Sequence, residues 1–225
     1  MSKHLKHDLE KLEKSLLLLA GQVEEAFLRA VTSLMERRID LAERVIDGDR
    51  EIDQREVEIE EDCLKLLALH QPVASDLRFV TAVLKIDNDL ERIGDLATNL
   101  AERAIAFQTL ATISIPPRMH EMADAVARML RRSIDAFVRG DAEMAREICA
   151  EDDYVDELNR RIIRDILEQI HEDPGSLEPR IHLFSMSKTI ERVADHATNI
   201  AEDVVYLVDG DIIRHQATLP GGIHG

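Results

Sequence analysis

The segment Glu91-Arg-Ile-Gly-Asp95-Leu-Ala-Thr-Asn99 returns later in the chain as Glu191-Arg-Val-Ala-Asp195-His-Ala-Thr-Asn199. A second stretch repeats in the same order: residues 33–53 lie on residues 136–156, with Leu41-Ala42 on Met144-Ala145 and Asp49 on Asp152. The offset is slightly shorter for the later match, which places a length difference in the loop after the second helix of each half; there the second half reads Asp173-Pro174-Gly175. An internal duplication constrains a fold strongly, because both copies must form one kind of unit.

The periodicity of the copies is helical. Leu5, Leu9, Leu12, Leu16, Leu19, Val23, Ala26 and Ala30 step by threes and fours, one apolar stripe on a helix expected to end near Arg38. A second stripe runs from Ala42 and Val45 to Leu66 and His70, and Pro72 closes it because proline cannot continue the hydrogen-bond ladder. A third runs from Phe79 to Phe107, and Ile115-Pro116-Pro117 then interrupts the chain. With 9 Gly, 6 Pro and 3% aromatic residues, the composition disfavours turn-rich β folds. The expected fold is all-α: six long helices in two tandem three-helix bundles, residues 1–112 and 113–210, followed by a frayed tail, 211–225.

Charge narrows the function. Lys and Arg number 28 against 45 Asp and Glu, a net charge of −17, which repels phosphate backbones and argues against nucleic-acid binding. No apolar run approaches the roughly 20 residues of a membrane span, and the N-terminus has no signal-peptide h-region. Cys63 and Cys149 lack metal spacing and read as small core residues. A cytoplasmic protein is expected.

The acids are not scattered evenly. The seam of the second helix reads Ala42, Val45, Asp49, Ile52, Glu56, Ile59, Cys63, Leu66, with carboxylates at two positions where the period asks for apolar groups. Such groups must be paired, solvated or metal-bound. Asp53 lies one turn beyond Asp49, and Asp152 and Asp156 take the same places in the second half. The third helix carries Asp87, Glu91 and Asp95 in four-residue steps, expected to lie to one side of the apolar stripe and largely away from it; Glu191 and Asp195 follow in the second half. At this acid content chance alone yields on the order of nine such i, i+4 pairs, so one pair carries no weight. Two pairs recurring at matching places do. Oxygen-only sets suit hard or borderline cations: iron, manganese, magnesium or zinc, without a choice among them. Glu56, Glu60 and Asp87 fall on Asn159, Ile163 and Ser187, so the two sets are expected to be unequal. Thr98, Asn99, Thr198 and Asn199 read as helix-face hydrogen-bonding groups, and His196 as a surface residue.

These motifs resemble those of the PhoU family of phosphate-signalling regulators. Asp49-Arg-Glu-Ile-Asp53, Glu91-Arg-Ile-Gly-Asp95, Asp152-Asp-Tyr-Val-Asp156 and Glu191-Arg-Val-Ala-Asp195 are its four motif copies, within a likeness spanning about residues 5–210. The resemblance implies a non-enzymatic, often homodimeric adaptor that binds metal ions or clusters through these acids. It implies as partners the ATPase subunit of a phosphate ABC transporter and a sensor histidine kinase, with any membrane association through those partners alone. It also implies repression of the phosphate-starvation response when phosphate is plentiful. Two alternatives stay open: a carboxylate-cluster metalloenzyme, which needs a positioned acid or base that the sequence does not name, and a metal-free helical scaffold.

Overall fold

A computed structural model describes residues 3–110 and 113–210. It is all-helical over those residues: α1 (Lys3–Glu36), α2 (Ile39–His70), α3 (Ser75–Gln108), α4 (Pro117–Arg139), α5 (Ala142–Glu172) and α6 (Leu177–Asp209), with a single 3-10 turn, Pro174–Ser176, before α6. The expected tail, 211–225, and the two residues before the expected boundary at 112/113 lie outside the described part.

The breaks between helices have local causes. Arg37 turns the chain with φ +56° between α1 and α2, and Gln71 with φ +46° ends α2 one residue before Pro72. Pro116 and Pro117 start α4, where a missing N–H costs nothing. Gly140 closes α4 at φ +60°, the left-handed geometry that glycine adopts without a side-chain clash. Asp141 then caps α5 by accepting the Met144 N–H at 2.9 Å. The length difference between the halves is not in the loop. Gln71–Ala74 and Asp173–Ser176 are equally long connections, and the helix ends absorb the difference instead: α5 stops earlier and α6 starts later than their first-half counterparts.

Within each half the three helices pack on one another, α1, α2 and α3 in the first, α4, α5 and α6 in the second. The halves join through α3 against α6 and α1 against α4. One hydrophobic cluster runs through both, from Leu12, Leu16 and Phe27 through Leu90, Ile93 and Leu100 to Met122, Val193 and Ile200. α3 is therefore covered by α1, α2 and α6 at once. Of its acid ladder, Asp95 keeps a side chain 43% exposed, but Asp87 does not lie away from the core as the spacing predicts. Asp87 is only 2% exposed, because the flank beside the apolar stripe faces α2 rather than water.

The α3–α6 contact carries polar groups of its own. Asp89, on the side of α3 opposite Asp87, accepts from His196 Nδ1 at 2.7 Å and from Asn199 Nδ2 at 3.1 Å. Lys85 Nζ reaches Asp203 Oδ1 at 3.0 Å and lies over the Tyr206 ring. His196 thus joins the two bundles and is not the surface residue expected. The contacts climb α3 while descending α6, so the two helices run antiparallel.

Candidate metal centre

α2 and α3 run antiparallel along one flank of the first bundle, and their acids meet across the seam. Asp49 and Asp53 come from α2 and Asp95 from α3; each offers a carboxylate oxygen, and the three lie within 4.8 Å of one another. Two oxygens that share one hard cation at the usual ligand distance of about 2.0–2.6 Å lie at most about 5 Å apart, and the set meets that limit, so it fits a divalent ion. Two features bring the helices together here. Gly94 leaves room for Ile52, whose Cγ2 would stand 3.0 Å from a Cβ at that position. Thr98 donates to Asp49 Oδ1 at 2.8 Å and fixes that carboxylate.

The cluster repels itself. Burial raises the Asp53 carboxyl above its ordinary range, and the charges of Asp49 and Asp95 raise it further. Burial and Asp95 do the same to Glu91. Arg92 answers part of the charge: Nη1 lies 3.4 Å from Asp95 Oδ2 and Nε 3.5 Å from Glu91 Oε2. Glu91 is coupled to the cluster by charge but does not share its close convergence, and its Oε2 is buried without a hydrogen bond. Asn99 bonds the Asp95 carbonyl at 3.3 Å, the helix-face role expected of it.

Asp87 lies deeper in the same seam. Its carboxyl is pushed up to about 8, first by burial and then by Glu56, Glu60 and Glu91. Its Oδ1 is buried with no hydrogen-bond partner. Cys63, fully buried beside it, has its thiol pushed up to about 12 by burial and by the Asp87 charge.

In the second bundle Asp152 and Asp156 come from α5, Glu191 and Asp195 from α6. The Asp152 carboxyl is raised to about 6 by burial, then by Asp195 and Asp156, with Thr198 pulling the other way. Asp195 is raised by burial, Glu191 and Asp156, against His196 and Lys188. The four acids feel one another, but among the described residues only Asp49, Asp53 and Asp95 bring three candidate ligand atoms together. Lys188 binds Glu191 at 2.7 Å, in a position that Asn88 holds in the first half. Where the first half has Asp87 and Glu56, the second has Ser187 donating to Asn159 Oδ1 at 2.6 Å, a buried neutral pair.

Sequence reasoning missed Asp89 and its link to His196. The signal was an acid set between Ile86, Leu90 and Ile93 on a helix whose other acids follow a different line.

The family model for the PhoU domain matches the chain twice, over residues 16–104 and 119–204. The phosphate-specific transport system accessory protein PhoU homolog of Aquifex aeolicus is 38% identical over 209 residues, covering 93% of this chain and 95% of that protein. The homolog of the same name from Pseudomonas putida is 37% identical over 219 residues, 96% of this chain and 84% of that protein. The crystal structure of PhoU from Pseudomonas aeruginosa superimposes with a TM-score of 0.89 at 35% identity, covering 92% of this chain and 99% of that one. The phosphate transport system regulatory protein PhoU from Streptococcus pneumoniae gives 0.86 at 30% identity, covering 93% and 99%.

Proposed function

The chain belongs to the PhoU family, and from that membership we propose that it is a non-catalytic accessory regulator of a phosphate-specific transport system. The observation that carries this reading is similarity over nearly the whole length to proteins named as accessory and regulatory parts of such systems.

The finer reading concerns how it acts. The protein couples the ATPase subunit of a phosphate ABC transporter to a sensor histidine kinase and represses the starvation response while phosphate is plentiful. It works in the cytoplasm as a homodimer and reaches the membrane only through its partners. Among the described residues no helix is long and apolar enough to cross a membrane. A net charge of −17 suits docking on basic protein surfaces, whose attraction would weaken with added salt.

Each half, residues 1–112 and 113–210, forms one metal-binding unit in this reading. Asp49, Asp53 and Asp95 hold an ion in the first, with Glu91 at its edge. Asp152, Asp156, Glu191 and Asp195 form the corresponding set in the second. A bound divalent or trivalent cation, whether iron, manganese, magnesium or zinc, supplies positive charge that turns mutual repulsion into a tie between two helices. The convergence of Asp49, Asp53 and Asp95 supports this.

Two measurements on the same strain test the proposal. Deleting the gene should leave phosphate-starvation genes expressed in high phosphate, and expression indistinguishable from wild type would overturn the regulatory reading. Elemental analysis of the purified chain should show metal that falls in Asp95→Asn and Asp53→Asn while helicity by circular dichroism is kept. Unchanged metal content in both variants would overturn this site, and wild-type protein without metal would leave a metal-free helical scaffold.

A further inference from the structure

Taking the homodimer of the proposed function as given, we propose that its contact is made by two unlike patches of this chain. An acidic one lies where α2 runs into α3, a basic one where α5 runs into α6, and each is seated on the other patch of a second copy.

Both patches have an apolar centre at matching places of the repeat. Leu64 is 56% exposed and its counterpart Leu167 58%. Leu77 and its counterpart Leu177 are exposed as well, and Ile181 and Phe184 widen the second patch where the first has Thr81 and Leu84. The register between helices brings these side chains together. Thr98 bonds Asp49 and Gly94 meets Ile52 across α2 and α3, which sets Leu64 level with Leu84 and Leu77 about two turns nearer the loop. Ser187 bonds Asn159 and Arg180 bonds Gln169 across α5 and α6, which sets Leu167 level with Phe184. Apolar side chains scattered singly over a surface need no explanation, whereas contiguous ones that recur in both halves mark a contact.

The flanks of the two centres carry opposite charge. On α2, Glu56, Glu60 and Glu61 border Leu64; on α5 the same places hold Asn159, Ile163 and Arg164, and Val57 is replaced by Arg160. Glu60 and Arg164 are exposed and belong to no ion pair among the described residues. Glu61 holds Lys65, and Arg160 shares Glu157 with Arg161. α2 and α5 take no part in the contact between the halves, so both flanks stand on the outer edges of the molecule. One apolar centre with acids beside it and another with arginines beside it make a self-complementary surface: each patch repels its own kind and accepts the other. At a net charge of −17 two copies repel one another at long range. Charges more than about 8 Å apart are largely screened at physiological ionic strength, so the local match decides.

The stoichiometry follows from where the patches lie. α3 and α6 run antiparallel, so the start of α3 and the start of α6 are at opposite ends of the molecule. Neither patch can reach the other within one chain. A two-fold axis between copies exchanges those ends: the acidic patch of each copy meets the basic patch of the other, both contacts form at once, and the assembly closes at two.

Sedimentation equilibrium of the full chain and two variants tests this. Glu60→Arg with Glu61→Arg makes both patches basic, and Arg160→Glu with Arg164→Glu makes both acidic. All four side chains are exposed, so helicity by circular dichroism should be kept. The wild type should be a dimer, and each variant alone should have its dimer dissociation constant raised by about tenfold or more, because like charges then face one another. An equimolar mixture of the two variants should return a dimer, now a mixed one, since basic patches again meet acidic ones. Misfolded chains would not recover on mixing, so the mixture separates a lost contact from a lost fold. Wild-type strength in either variant alone, or a mixture of helical variants no tighter than its components, would overturn this surface and leave the homodimer to another face. Species larger than a dimer that grow with concentration would overturn the two-fold contact. Wild-type protein that stays monomeric would overturn the homodimer reading as well and leave the acidic patch to a basic protein of another kind, while the accessory role stands or falls with the gene deletion.

Discussion

At the scale of single residues, the raised acids set a pH dependence with a definite sign. Asp87 titrates near 3.8 in an unfolded chain and near 8 when folded. Between those values the folded chain holds a proton that the unfolded chain has released, so stability falls as pH rises and levels off above about 8. Asp152 acts in the same direction over a narrower window, ending near 6. The metal-free protein is therefore expected to melt at lower temperature at pH 8 than at pH 5, by a few kcal/mol of stability at most. In Asp87→Asn the decline above about pH 6 should largely vanish, and thermal melts across that range check it. The site acids Asp49, Asp53, Glu91 and Asp95 were legible in the sequence because their four-residue pairs recur at matching places in both halves. The burial of Asp87 was not. A helical wheel shows which residues share a face, but not that α3 has a neighbour on three sides.

Among the elements, α2 and α3 show how closely a metal seam depends on packing. Gly94 meets Ile52, and the repeat puts Ala194 and Val155 in the corresponding positions: a smaller residue facing a larger one in the first half, each adjusted by about one methyl group in the second. Gly94→Ala gains helix propensity of about 0.5–1 kcal/mol. The new methyl group overpacks against Ile52, at a cost of about 1–3 kcal/mol. A net loss of roughly 1 kcal/mol is expected by urea denaturation, with most of it recovered in the pair Gly94→Ala and Ile52→Val. Because Gly94 adjoins Asp95, the single variant should also bind metal more weakly than the pair. Helix number and order were readable from stripes, prolines and the repeat, since apolar period and chain breakers are local signals; the ends of α5 and α6, which absorb the length difference between the halves, were not. The way one bundle sits on the other was not. Its central polar link joins residues whose counterparts differ, Thr189 for Asp89 and Leu96 for His196, so the repeat that revealed the units gave no hint of that contact.

Over the whole molecule, the shared core and the buried Asp89–His196 link make the two halves interdependent. Metal-free protein is expected to unfold in one calorimetric transition, its van't Hoff and calorimetric enthalpies agreeing. His196→Leu should lower that transition, at a cost of roughly 1–3 kcal/mol for the Asp89 oxygen left with Asn199 alone, without dividing it in two. Two separate transitions in the wild type would show that the bundles fold independently. The antiparallel run of α3 against α6 also bears on descent. Lys85 faces Asp203 and Arg78 lies beside Gly210, so the contacts centre near Gly94 and Ala194, positions that the repeat makes equivalent. A helix laid antiparallel on its own equivalent, about a shared midpoint, is what a two-fold axis produces. A lone ancestral bundle would have met a second copy of itself across this face. Joining the two genes then replaced an encounter between separate molecules with a tether of a few residues, raising the effective concentration of each half for the other. Once tethered, the halves no longer had to be identical, and one could keep acids that the other exchanged for serine and asparagine.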